Sequence, residues 1–160
     1  MTDADPKVTR LIAENRKARH EFDLLETVEC GIVLQGTEVK SLRGGKCSIA
    51  EAFALIRSGE LWLVGAHIPE YSHGNLQNHA PARDRKLLLH KRQVAHWDAL
   101  VREKGVTLVP LSIYFLGARV KVSVALARGR KLHDKREHER EKSDRREIDR
   151  AMSRARRSDG

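Results

Sequence analysis

From Arg119 to Ala127 apolar and polar positions alternate, with Val120, Val122, Val124 and Leu126 on one side and Arg119, Lys121, Ser123 and Ala125 on the other. A period of two is the pattern of a strand with one buried face. The alternation gives way at Gly129-Arg-Lys-Leu-His-Asp-Lys-Arg136, and beyond it the composition changes: residues 128–160 hold 13 Lys or Arg and 8 Asp or Glu, a net +5 of the chain's +9. A segment this polar cannot bury enough apolar area to offset ordering costs of roughly 1–2 kcal/mol per residue. The chain therefore reads as a compact body closed by a strand and followed by a basic tail that orders only against a partner. Within the tail, Ile148, Ala151, Met152 and Ala155 fall at i, i+3, i+4 and i+7, and Glu141 and Arg145 form an i,i+4 pair in the favoured order. One such pair stabilises an isolated helix by only ~0.2–0.5 kcal/mol. The tail is expected to be disordered when free and helical when bound.

A chain of 160 residues is long enough for one domain with a proper core. Three segments are expected: a basic N-terminal arm (1–19), a folded body (20–128) and the tail (129–160). In the body, Phe22 to Leu34 reads as a strand, with Gly31 marking a bulge or a close backbone approach. Val39 and Leu42 are at helical spacing ahead of Gly44-Gly45, which predicts a short helix capping one end of a sheet. Ala52–Ile56 and Leu61–Val64 flank Arg57-Ser-Gly-Glu60, the chemistry of a tight hairpin. Pro69 to Arg85 reads as one long loop, and a loop of that length in a compact domain points to binding or disorder. Val94, Trp97, Leu100 and Val101 predict a second helix stopped at Gly105, and strands return at 106–109, 111–116 and 119–127, with Pro110 requiring an edge or a bulge. About six strands with two or three short helices favour a small closed or partly closed antiparallel barrel, with an open sheet packed on a helix as the alternative.

The basic balance implies an acidic partner, nucleic acid ahead of an anionic membrane surface. No apolar run approaches membrane-spanning length and the N-terminus lacks a leader pattern, so a cytoplasmic protein is expected. Cys30 and Cys47 are expected to be reduced and core-filling. Gly44-Gly45-Lys46-Cys47 lacks the residues of a phosphate-binding loop, and His67, His73 and His79 lack companions at metal spacing, so no metal or cofactor is expected. The adjacent His133 and Asp134 have no walled cleft around them to fix an acid/base geometry, and an enzyme is disfavoured. Glu29, an acid on a strand of a basic protein, is either solvent-facing or a hydrogen-bond acceptor for a base edge.

The segments Asn15-Arg-Lys-Ala-Arg-His-Glu21, Glu29-Cys-Gly31, Leu34-Gln-Gly-Thr-Glu-Val-Lys-Ser-Leu-Arg43, Arg85-Lys-Leu-Leu-Leu89 and Gly129-Arg-Lys-Leu-His-Asp-Lys-Arg136 together resemble the small protein B family, which binds transfer-messenger RNA in bacterial ribosome rescue. The resemblance implies an oligonucleotide-binding-type barrel with flanking helices and a non-catalytic adaptor. In that picture the body holds the transfer-RNA-like domain of the RNA, and the tail enters the decoding centre and the vacant messenger channel. Elongation factor Tu would accompany the charged RNA. It further implies RNA contact at Asn15, Arg16, Arg19, His20, Glu29, Lys40, Arg43, Lys86 and Leu88. Ribosome contact is implied at Gly129, Arg130, Lys131, His133, Asp134, Lys135, Arg136, Ile148 and Met152, with glycine at 129 permitting the turn from barrel to tail. Many relatives carry Trp near the position of Asp144, and this tail has no aromatic residue. A structural ribosome-associated or ribosome-assembly RNA-binding protein is the competing reading from composition alone.

Overall fold

The computed structural model describes residues 8–74, 77–103, 106–129, 146–148 and 150–152. The chain divides into two units, Met1–Gly129 and Arg130–Gly160. The first contains seven strands and three helices among its described residues: β1 (Val8–Glu14), α1 (Arg16–Glu21), β2 (Phe22–Ile32), α2 (Gly36–Arg43), β3 (Phe53–Arg57), β4 (Glu60–Val64), β5 (Arg85–Leu88), α3 (Lys91–Val101), β6 (Val106–Leu116) and β7 (Arg119–Gly129). All pairings are antiparallel. They run β6-β3-β4-β5-β2-β7 and return from β7 to β6, so six strands make a closed circuit, with β1 added on β6. The circuit is wide at β2–β7 and β6–β7 and narrow at β3–β6, where Ala54↔Leu108 is the paired position. Strand-rich antiparallel architecture with flanking helices is thus as the sequence predicts.

Inward-facing side chains fill the circuit. Val120, Val122, Val124 and Leu126 of β7 meet Leu108, Ile113 and Phe115 of β6, Cys30 of β2, Leu61 and Leu63 of β4 and Leu87 of β5, while Leu42 of α2 and Trp97 of α3 plug the same core. Cys30 and Cys47 are free thiols; burial pushes Cys30 up to about 12 and Cys47 to about 11, which keeps both protonated and inert at neutral pH. The β3–β4 turn places Ser58 at φ 52 and Gly59 at φ 75, the primed geometry that matches strand twist.

β6 is one 11-residue strand rather than two, and its register shifts between Pro110 and Ser112. The bulge accommodates a residue with no N–H to donate. It also lets one edge of β6 take two partners, β3 at Leu108 and β1 from Ser112 to Leu116. Residues 8–14 of the expected N-terminal arm therefore do not stand apart from the body. Residues 8–14 are a strand of the sheet, and two register shifts of their own break the alternation that would have revealed it. Asn15 pins the corner that follows: its N–H donates to Leu111 O at 2.8 Å, its Nδ2 to Pro110 O at 3.3 Å, and its Oδ1 accepts from the Ala18 N–H as the α1 cap.

Three further expectations change. Arg85, expected to end the long loop, and Lys86-Leu87-Leu88, for which the sequence predicted no element, form β5, a strand too short to show a period. α3 ends at its cap Arg102, ahead of Gly105, which lies outside the described residues. Gly129 pairs with Phe22 as the last residue of β7 and is not among the positive-φ glycines, so no left-handed turn marks the joint. In the second unit the described residues 146–148 and 150–152 are helical, with Ile148 and Met152 exposed; Arg130, Lys131, His133, Asp134, Lys135, Arg136, Glu141, Arg145 and Ala155 lie outside the described residues.

The end of the sheet carrying α2 is held by a fully buried carboxylate. Glu38 Oε2 accepts from Arg85 Nε at 2.5 Å, and its Oε1 accepts from Arg83 Nε at 3.1 Å, from Arg83 Nη2 and from the Gln35 N–H at 2.8 Å. Arg85, also fully buried, donates its remaining N–H groups to Ala66 O and Pro81 O. Burial by itself would raise the Glu38 carboxyl, but the hydrogen bonds from Arg83, Gln35 and Arg85 outweigh it and hold the pKa below the ordinary value of 4.5. A depressed folded-state pKa contributes stability that is present above the unfolded value and lost as pH falls through the folded one. Glu38→Ala should cost about 3–5 kcal/mol by stranding two guanidinium groups, read from the denaturant midpoint. Glu38→Gln should also flatten the stability decline below the ordinary carboxyl range; a wild-type midpoint in the alanine variant would show that the cluster does not hold this end together.

Candidate nucleic-acid interface

Period-two geometry decides which side chains leave the circuit outward. Cross-strand pairing sets Leu88 of β5 against Gly31 of β2, Gly31 against Lys121 of β7, Lys121 against Tyr114 of β6, and Tyr114 against Leu11 of β1. One row of the outer face thus reads Leu88, Gly31, Lys121, Tyr114, Leu11. The adjacent row reads Glu29, Ser123, Ser112 and Glu14. The intervening residues Cys30, Val122, Ile113 and Leu87 point into the core.

Glycine at 31 shapes this face by what it omits. A Cβ there would lie 3.2 Å from Leu88 Cβ, so the bare backbone gives Leu88 room beside β2, where it stays 50% exposed. Glu29 accepts a hydrogen bond from Tyr114 Oη at 2.6 Å, diagonally across β7. Burial first, and then the bond to Glu29, pushes the Tyr114 hydroxyl above its ordinary range, so it remains a donor at neutral pH. The arrangement holds the Glu29 carboxylate in the row next to that of Lys121 and the exposed Leu88 and Leu11, with Ser123, Ser112 and Glu14 alongside it.

The outer positions of β7 continue from Lys121 and Ser123 to Ala125 and Ala127, and there α1 covers them. Ala18 packs with Val109, Leu111, Ala125 and Ala127 in a small second cluster, with Phe22 at its margin; the extra residue of the β6 bulge, Leu111, is spent here. α1 therefore borders the open part of the face and presents Arg16, Lys17, Arg19 and His20 to solvent. Lys86, on the same side of β5 as Leu88, is paired with Glu60 at 3.1 Å.

The residues singled out from sequence do not converge on one spot. Glu29, Lys86 and Leu88 share the outer sheet face, and Arg16, Arg19 and His20 border it on α1. Asn15 is 6% exposed and committed to the α1 corner. Lys40 and Arg43 belong to α2 and keep other company: the Lys40 ammonium stands 5.6 Å from the Tyr71 ring centroid, and the Arg43 carbonyl accepts from Arg10 Nη1 at 2.6 Å. Sequence reasoning did not single out Lys121 or Tyr114. The alternation in β7 already put Lys121 on the polar side, but its proximity to Glu29 exists only through pairing between strands 85–92 positions apart in sequence order, as for Glu29 with Tyr114 at a separation of 85. Of the three histidines without companions at metal spacing, His79 is buried, its ring bonded to Thr37 Oγ1 and Ile68 O. No group of three or more His, Cys, Asp or Glu suited to a metal occurs among the described residues.

Comparison with known proteins places this geometry. A family model described as "SmpB protein" matches residues 12–154. The SsrA-binding protein of Kineococcus radiotolerans is 55% identical over 144 residues, covering 90% of this chain and 92% of that protein. The chain belongs to the SmpB family. The SsrA-binding protein of Saccharopolyspora erythraea is 53% identical over 147 residues (92% and 93% covered), and that of Thermobifida fusca is 53% identical over 147 residues (92% and 92%). Among solved structures, a chain from one described as "tmRNA-SmpB: a journey to the center of the bacterial ribosome" superposes with a TM-score of 0.63 at 50% identity, covering 75% of this chain and 85% of that one. The matched region takes in the sheet face, α1 and α2 alike, so the surface mapped above is a surface of an SmpB fold.

Two substitutions test the face as a unit. Glu29→Ala should weaken RNA binding although it removes a negative charge, on the order of tenfold or more for one charge-assisted hydrogen bond. Tyr114→Phe should weaken it in the same direction by releasing the carboxylate. Tighter binding of Glu29→Ala in a filter-binding titration would mean the carboxylate only repels phosphate.

Proposed function

We propose that this chain is an RNA-binding adaptor that holds the transfer-RNA-like domain of transfer-messenger RNA and promotes its loading into stalled ribosomes for trans-translation. The observation that carries this reading is the outer sheet face, where Glu29 is held by Tyr114 beside Lys121 and Leu88 and bordered by the α1 cations. Arg16, Lys17, Arg19, Lys86 and Lys121 suit phosphates, which position a partner without reading its sequence. Glu29 and the ring of His20 suit the edges and faces of unpaired bases, and Leu88 offers an apolar surface for stacking. Membership of the SmpB family, the naming of its relatives as SsrA-binding proteins and the likeness to a tmRNA-SmpB structure support the same partner.

The chemistry is binding rather than turnover. Glu29 and Tyr114 form a donor–acceptor pair on an open face, and a general acid or base needs a walled site to fix its partner. Asn15 acts indirectly, by orienting α1. The tail residues Gly129, Arg130, Lys131, His133, Asp134, Lys135 and Arg136 are assigned to the decoding centre and messenger channel, with Ile148 and Met152 as the apolar side of the tail helix. Their exposure in the described tail residues suits a helix whose apolar side is covered only on the ribosome. Elongation factor Tu with the charged RNA completes the set of partners. A cytoplasmic location follows from work on the ribosome; among the described residues no helix is long and apolar enough to cross a membrane.

Three measurements test the assignment. Binding of transfer-messenger RNA should be steeply salt-dependent, the logarithmic slope changing by about 0.7 for each phosphate contact removed, so that Lys121→Ala flattens it; a slope near zero for the wild type excludes the electrostatic interface. Truncation after Arg130 should leave RNA affinity in a gel shift nearly intact while abolishing peptide tagging in a reconstituted translation reaction. Normal tagging by the truncated protein, or an equal loss of both activities, would overturn the division of labour. Co-purification with ribosomal subunits and no transfer-messenger RNA would favour an assembly factor instead.

A further inference from the structure

A second surface lies on α2 and shares no residue with the sheet face. Gln35, Thr37 and Lys40 form one wall of a groove of about 350 Å³, and Tyr71, His73 and Gln77 form the other. The Tyr71 and His73 rings are 5.3 Å apart between centroids and tilted by 51°, with the Lys40 ammonium 5.6 Å from the Tyr71 centroid.

The walls are fixed by bonds that leave the ring of Tyr71 out. Tyr71 is held through its backbone: its N–H donates to Asn78 Oδ1 at 2.9 Å, and its carbonyl accepts from Asn78 Nδ2 at 2.6 Å and from the Gly74 N–H at 2.9 Å. The loop closes so tightly that a Cβ on Gly74 would lie 2.5 Å from Asn78 Nδ2. Buried His79 ties the loop to Thr37 on the opposite wall, and the Glu38–Arg83–Arg85 cluster ties α2 to the same loop through Pro81 O. Long loops without secondary structure of their own are uncommon in compact domains unless they serve function. Here buried polar groups hold the described residues of one in which His73 is exposed and Tyr71 is half-buried under the Lys40 ammonium.

We propose that this groove is a second RNA site, which takes one unpaired nucleobase stacked on Tyr71, with Lys40 on the adjoining phosphate. A planar ring with a neighbouring cation is the pattern of sequence-tolerant base stacking. The amides of Gln35 and Gln77 each supply both a donor and an acceptor to a base edge. The site rests on the RNA-binding reading above and divides it: Lys40 serves a different nucleotide from the one at Glu29 and Leu88. The nucleotide can come from transfer-messenger RNA or from ribosomal RNA, and the two arms of the test separate these sources.

The full-length protein, with Tyr71→Ala, Tyr71→Phe, Lys40→Ala, Leu88→Ala and Lys121→Ala variants of unchanged melting temperature, is titrated against transfer-messenger RNA by filter binding and against small ribosomal subunits by co-sedimentation. Tyr71→Ala should weaken binding about five- to 150-fold in one arm, the range measured for loss of a stacked base, and that arm identifies the source. Tyr71→Phe should restore it, because the ring and not the hydroxyl carries the contact, and Lys40→Ala should weaken the same arm with a shallower salt slope. The groove is excluded if Tyr71→Ala binds as wild type in both arms, if Tyr71→Phe is as weak as Tyr71→Ala, or if only Lys40→Ala has an effect, which would mark an anion such as an acidic peptide rather than a base. Losses in Leu88→Ala and Lys121→Ala without one in Tyr71→Ala sink the groove and leave the sheet face standing. No loss in any variant sinks both.

Discussion

A carboxylate with no solvent around it, Glu38, sits between two guanidinium groups, and the non-sheet half of the body is arranged on that contact. Desolvating one carboxylate and two cations is costly, and the cost is offset only because the lone pairs and N–H groups find partners: Gln35, Ala66, Pro81 and Val33 take up what the ion pairs leave over. Among the described residues no buried side-chain nitrogen or oxygen lacks a hydrogen bond. Apolar packing could have plugged this end of the circuit as Leu42 does nearby. Packing alone, however, would not set the path of the loop from Pro69 to Asp84, because hydrophobic contact is not directional. Guanidinium forks are, and they fix backbone carbonyls at 66, 81 and 33 relative to α2.

A second constraint acts at the other side of the molecule. β6 must meet β7 along its whole length while sharing its remaining edge between β3 and β1. The shift at Pro110 makes this possible and leaves the Pro110 and Leu111 carbonyls to be taken by Asn15. The bulge therefore directs three things together: the addition of β1, the corner into α1, and the apolar seat of α1 on Val109 and Leu111. That seat is what brings the cations of α1 to the border of the open face.

The two surfaces described here follow a common plan. In each, buried or backbone-directed hydrogen bonds hold the framework, and exposed side chains are left for a ligand: Tyr114 fixes Glu29 beside Lys121, and Asn78 and His79 fix the loop that displays Tyr71 and His73. Preorganisation of this kind lowers the ordering cost on association.

Periodicity and turn chemistry in the sequence by themselves determined the strand nature of β2, β3, β4 and β7, the Ser58-Gly59 hairpin, the short α2 ahead of Gly44, the need for a bulge at Pro110, and the apolar face of α3. Each is a local property, set by neighbours within a few residues. The joined motifs, read together, also identified the family. Tertiary structure alone decided that residues 8–14 are a strand, since their alternation is broken by two bulges and their partner lies 100 or so positions on in β6. It decided that Asn15 and His79 are buried and hydrogen-bonded within the fold, that Glu38 and Arg85 are buried ions, and that Tyr114 bonds Glu29 in the row next to Lys121. The reason is the same in each case: burial and cross-strand neighbours depend on which distant segment arrives, and a charge or an amide carries no mark in the sequence of whether water or another side chain will satisfy it.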